Sequence, residues 1–475
     1  MIALTDKKKK VMEYMDGLAI SRDRYIQKNK YYYKDLINFF RFHIPEGSSV
    51  LEIGCGMGDI LNSVNPGKGV GIDISSEMIN IARKKYSHLT FLQMDAEDLT
   101  LSEKFDFIII SDTLGYLEDI QQSFKELRKV SSSRTRIIIT YHNYLWSPVL
   151  SVAEVLRLKM PYIRLNWLNK MDISNLLYLE GFDIVKTGNR VLLPKYFPIL
   201  SWFANKYVAH LPFFNRLCLT GYIVAREHPS NRPDDNYSVS VIIPARDEKG
   251  NIEDAVKRMP QMGKRTEIIF IEGHSDDGTL NEIKRICGQY ADKLDLKYAV
   301  QDGKGKGDAV RKGFDMAKGD ILMILDADLT VPPEDLPKFY RAIATGAGEF
   351  INGCRLVYPM EKEAMRLLNM AGNKFFSMMF SWLLEQRIKD TLCGTKVLFK
   401  KEWKKIVANR NYFGEFDPFG DFDLIFGAAK LNLKIVDVAI RYRARTYGET
   451  NISRFKHGWL LLKMVVFAMN KIKFL

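Results

Sequence analysis

Ile321-Leu322-Met323-Ile324-Leu325-Asp326-Ala327-Asp328 decides the fold of the C-terminal half. The apolar run reads as a buried strand, and the two aspartates stand at its mouth, where paired carboxylates suit a hard divalent ion that can in turn hold a diphosphate. A triplet of this kind is commonly just a turn, so its surroundings carry the reading. Upstream, Ser238 to Pro244 is a second buried strand, followed by Ala245-Arg246-Asp247-Glu248 and Asn251 at the start of an amphipathic helix. Glu267 to Ile271 is a third, running into Glu272-Gly273-His274-Ser275-Asp276-Asp277-Gly278-Thr279; Gly303-Lys304-Gly305-Lys306-Gly307 then precedes another helix. Strands alternating with helices, each emptying into a polar loop, predict a parallel α/β sheet with its ligand at the carboxyl ends.

From about Tyr237 to the C-terminus the chain resembles the family 2 glycosyltransferases, in the branch of dolichol-phosphate mannose synthase and related polyprenyl-phosphate sugar transferases. The resemblance rests on SVSVIIPARDEKGNIE, IIFIEGHSDDGT, GKGKGDAVRKGF with AKGDILMILDADLTVPPEDL, DTLCGTKVLFKK and YGETNISRFKHG, in that order. It implies a GT-A nucleotide-diphospho-sugar transferase fold. It sets Pro244, Asp247, Glu248, Glu272, Asp277, Lys306 and Asp326 around the nucleotide-sugar, and Asp326 and Asp328 around Mg²⁺ or Mn²⁺. Arg355 and Arg366 fall where the family has cationic contacts to phosphates, and Asp390 to Thr395 where it has its acceptor loop. The chain departs from the family at Glu272-Gly273-His274, where relatives commonly show a pair of acids and a Gly or Asn. It departs again at Thr330, where some relatives have Gln as a third metal ligand.

A sugar nucleotide breaks its glycosidic bond to a diphosphate, so the site must stabilise charge growing on the leaving group, which a divalent ion with Arg or Lys does electrostatically. A phosphate acceptor is already anionic and needs no general base. A hydroxyl acceptor needs one, for which Asp390, Asp421 and Asp423 are the candidates. Arg441, Arg443, Arg445, Arg454 and Lys456 surround Tyr447-Gly448-Glu449 with positive charge suited to a lipid phosphate or an anionic surface.

The N-terminal half carries a second constellation. Val50 to Ile53 is an apolar strand followed by Gly54-Cys55-Gly56-Met57-Gly58, a turn that lets a ligand approach the backbone. About 20 residues on, Gly69 to Ile72 ends in Asp73, the spacing of an acid that takes ribose hydroxyls. Thr90 to Gln93 ends near Asp95 and Ala96, and Phe105 to Ile110 ends at Ser111-Asp112. VLEIGCGMGDI, VGIDIS, FLQMDAEDL and FDFIIISDTLGYLED resemble the class I S-adenosylmethionine-dependent methyltransferases, a Rossmann-like fold. That resemblance implies cofactor contacts from Glu52, Gly54, Gly56, Gly58 and Asp112, ribose contacts from Asp73, and adenine contacts from Asp95 and Ala96. His142, after the strand Arg136 to Thr140, is a candidate acceptor-side base.

At 475 residues the chain suits two cores: a helical extension over 1–46, a methyltransferase domain over 47–226, a linker at 227–236 (EHPSNRPDDN) and a transferase domain over 237–475. Five widely spaced cysteines without a CxxC pair argue against a disulfide framework or a zinc site and for a reducing cytosol. The net charge of +13 comes without a zinc-finger, RRM or KH pattern, so anionic lipids and donors are expected as partners, with no nucleic acid. Lys7 to Lys10 is not a secretory signal, lacking an apolar core. No run approaches the roughly 18 apolar residues of a spanning helix, while Leu192 to Phe214, Ala371 to Leu384 and Trp459 to Leu475 read as interfacial.

The expected protein is bifunctional and peripheral on the cytoplasmic face of a membrane. It transfers a sugar from a UDP- or GDP-sugar, with inversion, to a polyprenyl phosphate or lipid-linked glycan, and methylates a sugar or glycoconjugate with S-adenosylmethionine. A homo-oligomer is compatible with the sequence. The competing reading has a soluble or polysaccharide hydroxyl as acceptor and the N-terminal half as a regulatory or docking module.

Overall fold

The computed structural model describes residues 5–161, 163, 166, 168–229, 237–357, 367–413, 422–445, 447 and 454–474. Two compact units emerge, Met1–His228 with Phe474–Leu475, and Pro229–Lys473. Both are α/β, each around one seven-stranded mixed sheet.

The first unit has β1 (Ser49–Ile53), β2 (Lys68–Asp73), β3 (Thr90–Gln93), β4 (Phe107–Ser111), β5 (Arg136–His142), β6 (Phe182–Arg190) and β7 (Thr220–Glu227), in the order β3-β2-β1-β4-β5-β7-β6. Side chains alternate across the strands, so each face has its own core. Leu51, Ile53, Ile108, Ile110, Ile137 and Ile139 pack with Phe124 and Leu127 on one side. Val50, Ile109 and Ile138 meet Leu36, Phe39 and Phe40 of helix α2 (Lys30–His43) on the other. Those α2 positions recur at three- and four-residue spacing, the stripe an amphipathic helix buries. Helix α1 (Asp6–Lys28) starts at Thr5, whose hydroxyl accepts the Lys8 N–H at 3.3 Å, and buries Val11, Met15 and Ala19 at four-residue intervals.

The second unit has β8 (Ser238–Ala245), β9 (Arg265–Glu272), β10 (Asp295–Val300), β11 (Ile321–Ile324), β12 (Phe350–Cys354), β13 (Lys396–Phe399) and β14 (Ile435–Ala439), in the order β10-β9-β8-β11-β13-β12-β14. Ile242, Ile269, Ile271, Leu322 and Ile324 pack against Phe380, Phe422, Phe426, Leu461 and Met464. Val241, Ile243, Ile268, Phe270 and Met323 pack against Ile252, Ile283, Phe339 and Ile343.

Neither sheet is purely parallel, which in the C-terminal half departs from the expectation. β7 runs antiparallel to both β5 and β6, and β13 antiparallel to both β11 and β12. An apolar run specifies burial and not direction, and an antiparallel neighbour is reached without the crossover helix a parallel one needs. Two stretches read as interfacial bury one face in the core and leave Phe375, Met378, Trp459, Leu462 and Val466 exposed on the other. In the helix Leu367–Leu384, Phe376, Phe380, Leu383 and Leu384 are buried, as are Leu461, Met464, Val465 and Ala468 of the helix Arg454–Ala468. The third, Leu192 to Phe214, leaves Tyr196, Phe197, Ile199, Leu200, Trp202, Phe203 and Phe213 exposed. Among the described residues no helix is long and apolar enough to cross a membrane.

Candidate active sites

Both sheets reverse their strand order near the middle, between β1 and β4 in the first and between β8 and β11 in the second. At such a point the loops leaving neighbouring strands diverge to opposite faces and open a crevice at the carboxyl ends. Glu52 and Gly54 leave β1 beside Asp112 after β4, and Asp247 and Glu248 leave β8 beside Asp326 and Asp328 after β11.

A cavity of about 640 Å³ lies over the first crevice, lined by Glu52, Gly54, Asp73, Asp95, Ala96 and Asp112 together with residues of α1 and α2. Its size suits a cofactor. The half-buried Asp73 carboxylate accepts the N–H of Gly56 at 2.8 Å and of Ser75 at 2.9 Å, which fixes the glycine turn to the end of β2. Burial nevertheless raises its pKa. Burial also pushes Glu52 up to about 8, against the Leu61 N–H it accepts at 2.9 Å. Gly54 has φ +71°, and a Cβ there would overlap Thr113. Asp112 is held in the left-handed region at φ +53°, a strained setting for a residue with a side chain. It accepts from the Tyr32 hydroxyl at 2.9 Å and Thr140 Oγ1 at 3.3 Å, with His142 Nε2 3.7 Å away. Tyr32 and Lys8, from the N-terminal helices, had no signal in the sequence; Lys8 Nζ reaches Asp95 at 2.6 Å and Glu97 at 2.8 Å.

In the second crevice Lys306 Nζ lies 2.6 Å from Asp326 Oδ1. Burial works to raise the Asp326 pKa, but Lys306, with Lys396 and Arg355 beyond it, outweighs burial and holds it below the ordinary value. Arg445 joins the two loops: Nη1 donates to Glu248 Oε1 at 3.0 Å and Nη2 to Asp328 Oδ2 at 2.7 Å. Burial pushes Glu248 up to about 7 despite Arg445. Asp328 also accepts the Thr330 hydroxyl at 2.8 Å, so Thr330 orients the aspartate. Among the described residues no three His, Cys, Asp or Glu side chains form a metal set. The two aspartates are hard oxygen donors that already each hold a cation, Lys306 and Arg445, and in that sense fit Mg²⁺ or Mn²⁺.

The remaining expected residues fall into three groups. Pro244 lies in β8 paired with β9, and the buried Glu272 accepts the Ser275 N–H at 2.6 Å. Asp247, at φ +56°, accepts the Asp276 N–H at 3.0 Å, and Asp277 accepts the N–H groups of Thr279 at 2.9 Å and Lys249 at 3.1 Å. These acids staple the loops after β8 and β9. Asp390 is wholly buried and accepts Arg355 Nε at 2.7 Å and Nη2 at 2.8 Å, while the guanidinium sits 5.2 Å over the Tyr442 ring. Asp423 pairs with Arg410 at 3.5 Å. Arg366 and Asp421 lie outside the described residues.

Gly394 sits against the Asp326–Lys306 pair so closely that a Cβ there would overlap both Asp326 Oδ2 and Lys306 Nζ. Both obstructed groups are side-chain ends, so Gly394→Ala is expected to leave the fold intact and to lower sugar-transfer kcat on the order of 10²-fold by misplacing the carboxylate. Thermal unfolding beside steady-state kinetics checks both halves of that expectation.

Residues 240–405 match the family model described as glycosyl transferase family 2, and residues 44–181 match one described as a methyltransferase domain. Dolichol-phosphate mannosyltransferase of Saccharomyces cerevisiae is 38% identical over 110 residues, 22% of this chain and 40% of the yeast protein. Glycosyltransferase AglJ of Haloferax volcanii is 26% identical over 47% of this chain and 69% of its own length. The chain thus spans well under half of the yeast relative, and 31% of a Pyrococcus furiosus dolichol-phosphate mannosyltransferase. Among solved structures, a SAM-dependent methyltransferase of Thermotoga maritima aligns with a TM-score of 0.37 at 16% identity, over 46% of this chain and 99% of that one.

Proposed function

The chain is a fusion of a methyltransferase domain with a family 2 glycosyltransferase domain, and from that premise we propose a bifunctional enzyme of lipid-linked glycan assembly. The C-terminal domain transfers a sugar from a UDP- or GDP-sugar, with inversion, to a polyprenyl phosphate or a glycan carried on one. Relatives named for dolichyl- or undecaprenyl-phosphate substrates support this class of acceptor.

The observation that favours a phosphate over a hydroxyl acceptor is the state of Asp390. Burial works to raise its carboxyl, but Arg355, with Asn373, holds it down at about 2, and both oxygens are committed to Arg355. A carboxylate so placed is a poor proton acceptor. Its role in this proposal is to aim Arg355, whose charge bears on Asp326, toward the donor and acceptor phosphates. Asp326 and Asp328 would hold Mg²⁺ or Mn²⁺, which when bound neutralises charge on the departing diphosphate. Lys306 and Arg445 add two further cations at the same crevice, and Glu248 fixes Arg445 there.

The N-terminal domain binds S-adenosylmethionine in the 640 Å³ cavity and methylates a sugar or related glycoconjugate. Asp112, Tyr32 and His142 are the groups placed to orient an acceptor hydroxyl and take its proton. Trp146, Val149, Leu150 and Ala153 continue the cavity wall onto a surface where Val152 and Val155 are exposed. With Trp202 and Phe213 also exposed, and Lys206 Nζ 5.9 Å over the Trp202 ring, that domain carries an apolar, cation-bearing surface suited to the cytoplasmic face of a membrane.

Turnover of a panel of UDP- and GDP-sugars with Mg²⁺ or Mn²⁺, with and without a short polyprenyl phosphate, tests the transferase reading. Lipid-dependent transfer is expected. Metal-dependent hydrolysis that gains nothing from the lipid would reject the phosphate acceptor in favour of a hydroxyl.

A further inference from the structure

Arg22 projects from α1 into the wall of the methyltransferase cavity. Its Nε is buried and has no hydrogen-bond partner, and among the described residues the guanidinium makes no ion pair. The nearby carboxylates are committed elsewhere. Asp73 accepts from the backbone of Gly56 and Ser75, and Asp59 takes Lys85 at 2.6 Å and the Tyr86 hydroxyl at 2.7 Å. Burial opposes the charge on Arg22, and Tyr33, Asp73, Tyr116 and Asp59 restore it. A buried cation without a hydrogen-bonded anion is costly, and a protein keeps one where a ligand supplies the missing partner.

The position of Arg22 says which anion. A Cβ on Gly56 would come within 2.9 Å of the guanidinium, so Arg22 covers the outer face of the glycine turn. In the proposed binding mode the ribose lies on Asp73 and the adenine beside Asp95 and Ala96, on the far side of the ribose. The amino-acid end of the cofactor then extends along the glycine turn, toward Gly56.

Resting on the S-adenosylmethionine reading, we propose that Arg22 binds the carboxylate of the cofactor's amino-acid end, making α1 a working wall of the cofactor site. α1 is fastened for this purpose along its length: Lys8 to Asp95 and Glu97, Asp16 Oδ1 to the Ser75 hydroxyl at 2.5 Å and the Glu77 N–H at 3.1 Å, and Asp23 to Lys85 at 3.2 Å. These ties hold Arg22 over the turn whether or not ligand is present, so little ordering cost remains at binding.

Two ligands separate this proposal from its premise. S-adenosylhomocysteine carries the carboxylate; 5′-methylthioadenosine keeps the nucleoside and lacks it. In calorimetry on the full chain, Arg22→Gln is expected to weaken S-adenosylhomocysteine by roughly 10- to 100-fold while leaving 5′-methylthioadenosine within about twofold of the parent. Arg22→Lys, which keeps the charge without the planar fork, should recover part of the loss. No loss, or an equal loss for both ligands, overturns the role of Arg22. Failure of the parent itself to bind either ligand overturns the cofactor reading and this proposal with it.

Discussion

Asp390→Ala is expected to destabilise the second unit by about 3–5 kcal/mol, because it strands a buried guanidinium. Asp390 accepts from Arg355 three times, from Asn373 at 3.0 Å, and from the N–H groups of Leu392 at 3.1 Å and Cys393 at 3.2 Å. It thereby ties the end of β12, the helix Leu367–Leu384 and the loop before β13 to one carboxylate. A loss of this size is a large fraction of the 5–15 kcal/mol that holds a typical domain. The pH dependence follows from the depressed pKa. With a folded value of about 2 against an ordinary 3.8, the contribution is complete above the ordinary value and is lost as pH falls through about 2. Urea unfolding of parent and variant at pH 7 and near pH 2 should show the gap narrow at the acid end. An aspartate serving as general base would instead lose turnover at unchanged stability.

The combined change Asp326→Ala, Asp328→Ala is expected to abolish sugar transfer, with kcat falling on the order of 10³-fold or more. The fold should survive it. Lys306 is partly exposed and returns to water when Asp326 is removed, and Arg445 keeps Glu248 when Asp328 is removed. A melting temperature close to the parent's, with transfer lost at saturating donor and metal, would separate chemistry from folding. Parental activity in the double variant would end the role assigned to both residues.

Strands β1 to β5, β8, β9 and β11 were legible because they are short, mostly apolar runs between polar turns; Thr90–Gln93, at one edge of the first sheet, matches to the residue. Strands β10, β12 and β13 were not. β10 reads DLKYAV with no fully buried position, β12 carries Asn352 and Gly353, and β13 opens on the wholly buried Lys396. None of these has the pattern of an apolar run, since neighbouring strands and helices supply what their own side chains lack. The candidate residues at strand ends, Glu52, Asp73, Asp326 and Asp328, announced themselves by position. Arg22 did not, and Arg445 was read only as part of a cationic stretch for a lipid phosphate or anionic surface, without its carboxylate partners. Arg445 meets Asp328 across 117 residues and Glu248 across 197, separations that no local spacing encodes. Asp390 pairs with Arg355, which the sequence had suggested as a separate phosphate contact.

The fastening of α1 has a consequence for the order of events during synthesis. α1 leaves the ribosome before the groups it ties to: Ser75 follows Asp16 by 59 residues, and Asp95 follows Lys8 by 87. Contacts of such sequence separation close after local ones, as do the sheet's own pairings of β5 with β7 across 78 to 88 residues, so α1 docks no earlier than β2 and β3 are made. In the finished molecule the ties on α1 are few and the sheet's are many. Local opening is therefore expected at α1 before the sheet, with the strands still paired.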